Sequence, residues 1–332
     1  MSSTHEGKGA IFASLAANLG VGASKFIAFL LTGASSMLAE SIHSVADSSN
    51  QVLLLIGGSR AKKAPSKTHP FGYGRAHFLY AFIVSMVLFS LGGLFAIYEG
   101  VHKVMDPHPM ENPIVAYIVL GIAIVLEGLA LRTVLKEARS FKPKDQNWVA
   151  FIRKSKSINH IVLAMEDTAA LLGLLFALTG ITVSLLTDNG IWDGIGTLAI
   201  GVLLVAVAVI LFIEVKSLLI GEGADDDTLA IINAEIAKVE LVEKVVDLKT
   251  LYVGPAELFI AMKVIIEHDD SASAVAQAIN EIEARIRRRL PFAKLIYIEP
   301  DLFTSAEEHA ALDAALEAKL TLEDEAVIFK QG

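Results

Sequence analysis

Cysteine is absent from the 332 residues. That excludes disulfides and thiolate metal sites together, so any metal ion must be held by carboxylate oxygen or imidazole nitrogen. A basic excess is lacking as well: 28 Lys and Arg stand against 37 Asp and Glu, a formal charge of −9, which argues against a nucleic-acid partner. No Gly-rich loop ending in Lys-Ser/Thr occurs, so ATP has no evident place to bind. The polar stretch 1–9 carries neither an apolar signal core nor an Arg-rich presequence, and membrane insertion is expected to begin with the first span. This favours a bacterial inner membrane.

What is abundant is apolar: 54% of the chain is hydrophobic and the mean hydropathy is +0.56. Six runs are long enough to cross a bilayer, Ala10 to Leu31, Met37 to Ser59, Phe78 to Tyr98, Ile114 to Leu135, Ile158 to Leu186 and Ile191 to Ile220. Arg60, Lys62, Lys63, Lys67 and Arg75 fall between the second and third runs, and Arg139, Lys142, Lys144, Arg153, Lys154 and Lys156 between the fourth and fifth. The positive-inside rule places these loops and both termini in the cytoplasm, which requires an even number of spans.

After Gly221 the pattern becomes that of a water-soluble unit. Asp226 to Val239 and Ala272 to Leu290 have helical periodicity, whereas Val242 to Val253, Ala256 to Glu267 and Lys294 to Ile298 read as strands. The expected fold is an all-α six-helix transmembrane domain over 10–221, then a small cytoplasmic α/β domain of ferredoxin-like αββαβ order over 222–304. An acidic tail over 305–332 completes the chain, with Ser305 to Lys330 reading as a helix and a loose end.

Ionisable residues inside spans are costly unless they pair or line a wet cavity. His43 and Asp47 stand at i and i+4 in the second run, on one helical face, where they can share a metal ion. A buried His–Asp hydrogen bond holding two helices together is the alternative. Glu166 and Asp167 open the apolar part of the fifth run, and adjacent helical positions point about 100° apart. Asp167 is the better ligand candidate, with Glu166 either a ligand or a packing contact. His160 reads as a vestibule or interfacial residue. Asn18, Lys25, Asn50, Glu127 and Asp193 pair with one another, line the path or snorkel, with helix packing the preferred role. Gly20, Gly22, Gly57, Gly58, Gly92 and Gly93 are expected to permit close helix contact.

The run Ser36-Met37-Leu38-Ala39-Glu40-Ser41-Ile42-His43-Ser44-Val45-Ala46-Asp47, the loop His69-Pro70-Phe71-Gly72-Tyr73-Gly74-Arg75 and Asp167 resemble the cation diffusion facilitator family of metal transporters, from about residue 10 to residue 300. In that family, ligand pairs on the second and fifth spans form a tetrahedral site. The resemblance assigns His43 and Asp47 to the first pair in its zinc-selective form. The second pair is normally His-x-x-x-Asp, but Leu163 stands four residues before Asp167. The stretch Leu163 to Ala170 is similar to the branch that includes the mitochondrial zinc exporters of animals, and Glu166 or water then completes the site. Such an oxygen-rich site also suits Mn²⁺ or Fe²⁺. Where the family's cytoplasmic domains often carry metal-binding histidines, Val246-Asp247-Leu248-Lys249 and Tyr297-Ile298-Glu299-Pro300 have none, and His268-Asp269-Asp270 reads as a solvated turn.

The resemblance implies proton-coupled export of a divalent cation, with Zn²⁺ as cargo, no prosthetic group, no enzymatic role and a homodimer in the lipid bilayer. Metal and protons compete for the same side chains, and imidazole titrates near neutrality, so His43 is the natural coupling residue. The alternative is a membrane-anchored metal sensor or scaffold without turnover.

Overall fold

The computed structural model describes residues 3–141, 158–266 and 271–302, with a few helical residues between 314 and 319. The expectations for His268-Asp269-Asp270, most of the acidic tail and the side chain of His160 lie outside the described residues. Two compact units result, one made of 1–222 with 252–256 and the other of 223–251 with 257–332.

The first unit holds six long helices among the described residues: α1 (Ser3–Thr32), α2 (Ser35–Ala61), α3 (Ala76–Met105), α4 (Pro113–Phe141), α5 (Ile158–Thr187) and α6 (Ile191–Ile220). Among the described residues, five of them are long and apolar enough to cross a membrane; α2 is the exception. Its 27 residues reach about 40 Å at 1.5 Å per residue. Serines and ionisable residues lower its hydropathy, and the bundle covers them: Glu40, His43, Ser44, Ser48 and Asn50 are buried, while Val45, Val52, Leu55 and Ile56 face outward. Helix α2 packs against α1, α3, α5 and α6 and so occupies the middle of the unit. On α4, Ile118, Ile122, Val125 and Leu129 form an exposed apolar face at helical spacing, as lipid contact requires.

Helix α3 is not uniform. Residues Leu88–Leu94 wind as a π-helix between two α-helical halves. Close approach to α6 is made by small residues: a Cβ on Gly93 would lie 2.6 Å from the Val205 side chain, and one on Gly201 would lie 2.7 Å from the Ile97 backbone nitrogen. Gly22, Gly57 and Gly92 also face neighbouring atoms closely. Gly20 departs from expectation, having nothing within 4 Å, because it lies on an exposed face of α1.

The start of α2 has no side-chain cap of its own, since Ala34 occupies the N-cap position. Asp193, buried at the start of α6, supplies the cap: its carboxylate accepts from the Ser35 amide at 2.7 Å and from the Ser36 hydroxyl at 2.5 Å. A carboxylate there satisfies orphan N–H groups and complements the positive end of the helix dipole.

The second unit follows the order α7 (Asp226–Ile236), β1 (Val242–Gly254), β2 (Glu257–Ile266), α8 (Ala272–Arg289), β3 (Ala293–Leu302). The strands form one sheet in the order β1-β2-β3, with β2 and β3 parallel. The αββαβ expectation matches. Strand β3 extends beyond the expected Lys294 to Ile298, through Pro300, which an edge position tolerates because only one side of the strand needs ladder donors. Ala278, Ile282 and Ile286 recur every four residues and form the buried stripe of α8.

Candidate metal-binding cavity

Polar side chains from four helices of the first unit meet around one cavity. Asn18 of α1, Asp47 and Gln51 of α2, Glu127 of α4, and Glu166 and Asp167 of α5 line about 380 Å³ of atom-free space, part of it open to solvent. Three of the four candidate ligands, Asp47, Glu166 and Asp167, therefore face the same volume. His43, the fourth, sits one turn along α2, with Nε2 3.5 Å from Asp47 Oδ2.

That His43–Asp47 contact lies within one helix, so it does not tie two helices together. Nor is it a hydrogen bond: His43 is 1% exposed, and neither ring nitrogen has a hydrogen-bond partner among the described residues. Asp47 Oδ1 is likewise buried without one among the described residues. Buried polar atoms normally find partners, and leaving them bare costs free energy. An imidazole and a carboxylate left bare side by side are what a divalent cation would satisfy.

Glu166 differs from Asp167. Its Oε1 accepts from Asn50 Nδ2 at 2.8 Å, linking α5 to α2, and the residue is buried. Asp167 is only partly covered and makes no hydrogen bond or ion pair among the described residues. No group of three or more His, Asp or Glu side chains converges closely enough to hold a metal ion among the described residues, so the donors surround the cavity without closing on a point.

The remaining intramembrane polar residues divide. Lys25 of α1 is 1% exposed and donates to Glu40 Oε2 at 2.8 Å and Ser44 Oγ at 3.0 Å, a packing role. Asn50 and Asp193 pack as well. Asn18 and Glu127 instead line the cavity, contrary to the preferred expectation of helix packing. The signal for Glu127 was present, a lone carboxylate within an apolar run, but sequence does not show which way its helix faces. Opposite Glu40, Gly173 of α5 leaves room for the carboxylate: a Cβ there would lie 2.5 Å from Glu40 Oε1.

Comparison with known proteins decides the family. Residues 11–220 match the cation efflux transmembrane domain, and residues 224–301 match the cytoplasmic domain of cation efflux proteins. The chain belongs to the cation efflux, or cation diffusion facilitator, family of metal transporters. It is an integral membrane protein. Similar proteins include the mitochondrial proton-coupled zinc antiporter SLC30A9 of Mus musculus, 32% identical over 60% of this chain and 35% of that protein. Metal tolerance protein C4 of Arabidopsis thaliana is 29% identical over 74% of this chain and 54% of that one. The cation-efflux pump FieF of Escherichia fergusonii is 28% identical over 82% and 85%. The match thus spans only about a third of the mouse protein and about half of the Arabidopsis one.

The loop between α2 and α3 is held by its own polar groups. Ser66 and His69 exchange backbone hydrogen bonds at 3.1 Å each way, and the His69 and Tyr73 rings lie 4.5 Å apart. His69 is thereby engaged in local packing.

Proposed function

We propose that the chain is a secondary transporter that exports a divalent cation, Zn²⁺ first with Mn²⁺ or Fe²⁺ as further cargo, from the cytoplasm in exchange for protons. His43, Asp47 and Asp167 bind the ion, and Glu166 stands beside them. The observation that carries this reading is the buried His43 imidazole, without a hydrogen bond at either nitrogen among the described residues, beside an Asp47 carboxylate that opens on an acidic cavity. Binding draws the donors inward from α2 and α5, and their release to the opposite face accompanies reprotonation, as linkage between metal and proton binding requires. The name of SLC30A9, a proton-coupled zinc antiporter, agrees with this cargo and coupling. Both basic loops face the cytoplasm in this orientation, and the C-terminal unit mediates a homodimer.

Proteoliposomes test the reading. Zinc-driven proton flux is expected for the wild type and its loss for His43→Ala and Asp47→Ala. Undiminished flux in both variants would defeat the assignment. A zinc-sensitive dye inside the vesicles separates transport from binding, because a sensor without turnover gives no accumulation.

A further inference from the structure

Glu127 stands alone among apolar neighbours, in Ile124-Val125-Leu126-Glu127-Gly128-Leu129, on a helix whose other face is exposed and aliphatic. It is half-buried and has no hydrogen-bond or ion-pair partner among the described residues. Asp167 shares both properties and the same cavity. Two unpartnered carboxylates facing one small volume within a lipid-spanning bundle repel each other and are poorly solvated, which is unfavourable unless a cation lies between them or a proton takes its place. Among the described residues, the buried Lys25 ammonium is already committed to Glu40 and Ser44. Glu166 is also engaged, through Asn50.

An independent observation points to a missing ligand at the same place. His43 is 1% exposed, both its nitrogens lack hydrogen bonds among the described residues, and Nε2 is turned toward the Asp47 carboxylate that lines the cavity. The acidic lining therefore meets an imidazole that no hydrogen bond satisfies among the described residues.

We infer that Glu127 is a direct ligand of the transported cation, so that the site draws donors from three spans: His43 and Asp47 from α2, Asp167 from α5 and Glu127 from α4. This rests on the transport reading above and names a ligand beyond it. Glu166, held by Asn50, then braces α5 against α2. One imidazole and three carboxylates make a set that accepts zinc and also suits the harder Mn²⁺. Glu127 is thus the residue that widens the choice of ion.

The test is calorimetric titration of Zn²⁺ and of Mn²⁺ into the full-length protein in detergent, for the wild type, Glu127→Gln, Glu127→His and His43→Ala, with thermal unfolding of each as a check on folding. Outer-shell substitutions already cost metal sites about 10–100-fold, so loss of a direct ligand in Glu127→Gln should weaken Zn²⁺ binding at least about tenfold. Glu127→His should restore zinc but not manganese, because imidazole suits zinc and manganese prefers oxygen. If Glu127→Gln binds both ions as the wild type does, the inference is overturned, while loss in His43→Ala alone leaves the transport site standing. Weakened binding of both ions that Glu127→His does not recover for zinc also overturns it, since the role is then structural. Wild-type binding in His43→Ala, or none in the wild type, removes the site reading and this inference together.

Discussion

The Lys25 ammonium lies 2.8 Å from the Glu40 carboxylate with both side chains excluded from solvent, which fixes α1 to α2 one helical turn from His43. Breaking such a pair leaves an uncompensated charge in the interior, at a cost of about 3–5 kcal/mol. Lys25→Met is therefore expected to lower the thermal unfolding temperature in detergent sharply. The double variant Lys25→Met with Glu40→Leu should recover most of the loss, since two apolar residues leave no buried charge. A single variant as stable as the wild type would show that the pair contributes nothing.

Asp193 caps α2 from 158 residues further along the chain. Removing a cap costs roughly 0.5–2 kcal/mol, so Asp193→Ala should destabilise the protein by about that amount. Asp193→Asn keeps an acceptor and should lose less. Thermal unfolding gives the ranking, and equal loss in both variants would point to the charge and not the cap.

Gly173 and Gly20 provide a contrast between a filled and an open position. Gly173→Ala drives a Cβ to within 2.5 Å of Glu40 Oε1, and overpacking of this kind costs about 1–3 kcal/mol. Gly20→Ala meets nothing within 4 Å on a helix and should stabilise by roughly 0.5–1 kcal/mol. Opposite shifts in unfolding temperature are expected from the same chemical change.

In the C-terminal unit, the hydrogen bond from Lys238 holds the Glu235 carboxyl below its ordinary value of 4.5, aided by the charges of Lys238, Arg289 and Arg285. A lowered folded-state value means that the contribution to stability is present above pH 4.5 and is lost as pH falls through the folded value beneath it. Hydrogen exchange of the α7 amides should therefore be faster in Lys238→Met than in the wild type at neutral pH, after correction for the intrinsic rate. The difference should close on acidification below the carboxyl range. A gap that stays constant to low pH would assign the effect to packing of the lysine stem.

Run length made most of the bundle legible, because a bilayer leaves few alternatives to an apolar helix and the basic loops mark its turns. The pattern His43-x-x-x-Asp47 was legible because helical spacing converts directly into a shared face. Other features depend on partners far along the chain. The cap from Asp193 on Ser35 and Ser36 joins residues that only tertiary packing brings together. The facing of Glu127 is set by how α4 lies on α1 and α5, which a single carboxylate in an aliphatic run does not encode. Strand β3 reads short in sequence since Pro300 argues against a strand, and only its edge position removes the objection.

The π-helical stretch Leu88–Leu94 escaped the sequence for another reason: Leu, Phe, Ser and Gly there serve an ordinary helix equally well. Its effect is angular. An additional residue accommodated in a widened coil advances everything after it by about 100° relative to a regular helix. The two halves of α3 therefore turn different stripes inward: a Cβ on Gly100 would lie 2.7 Å from the Leu198 backbone nitrogen of α6, and one on Gly92, inside the wide coil, would lie 3.9 Å from His43 Nδ1. Excising a single residue from that stretch would restore regular winding and swing one of these two glycines out of alignment, so the wide coil reconciles the wall beside the imidazole with the seam that binds α3 to α6.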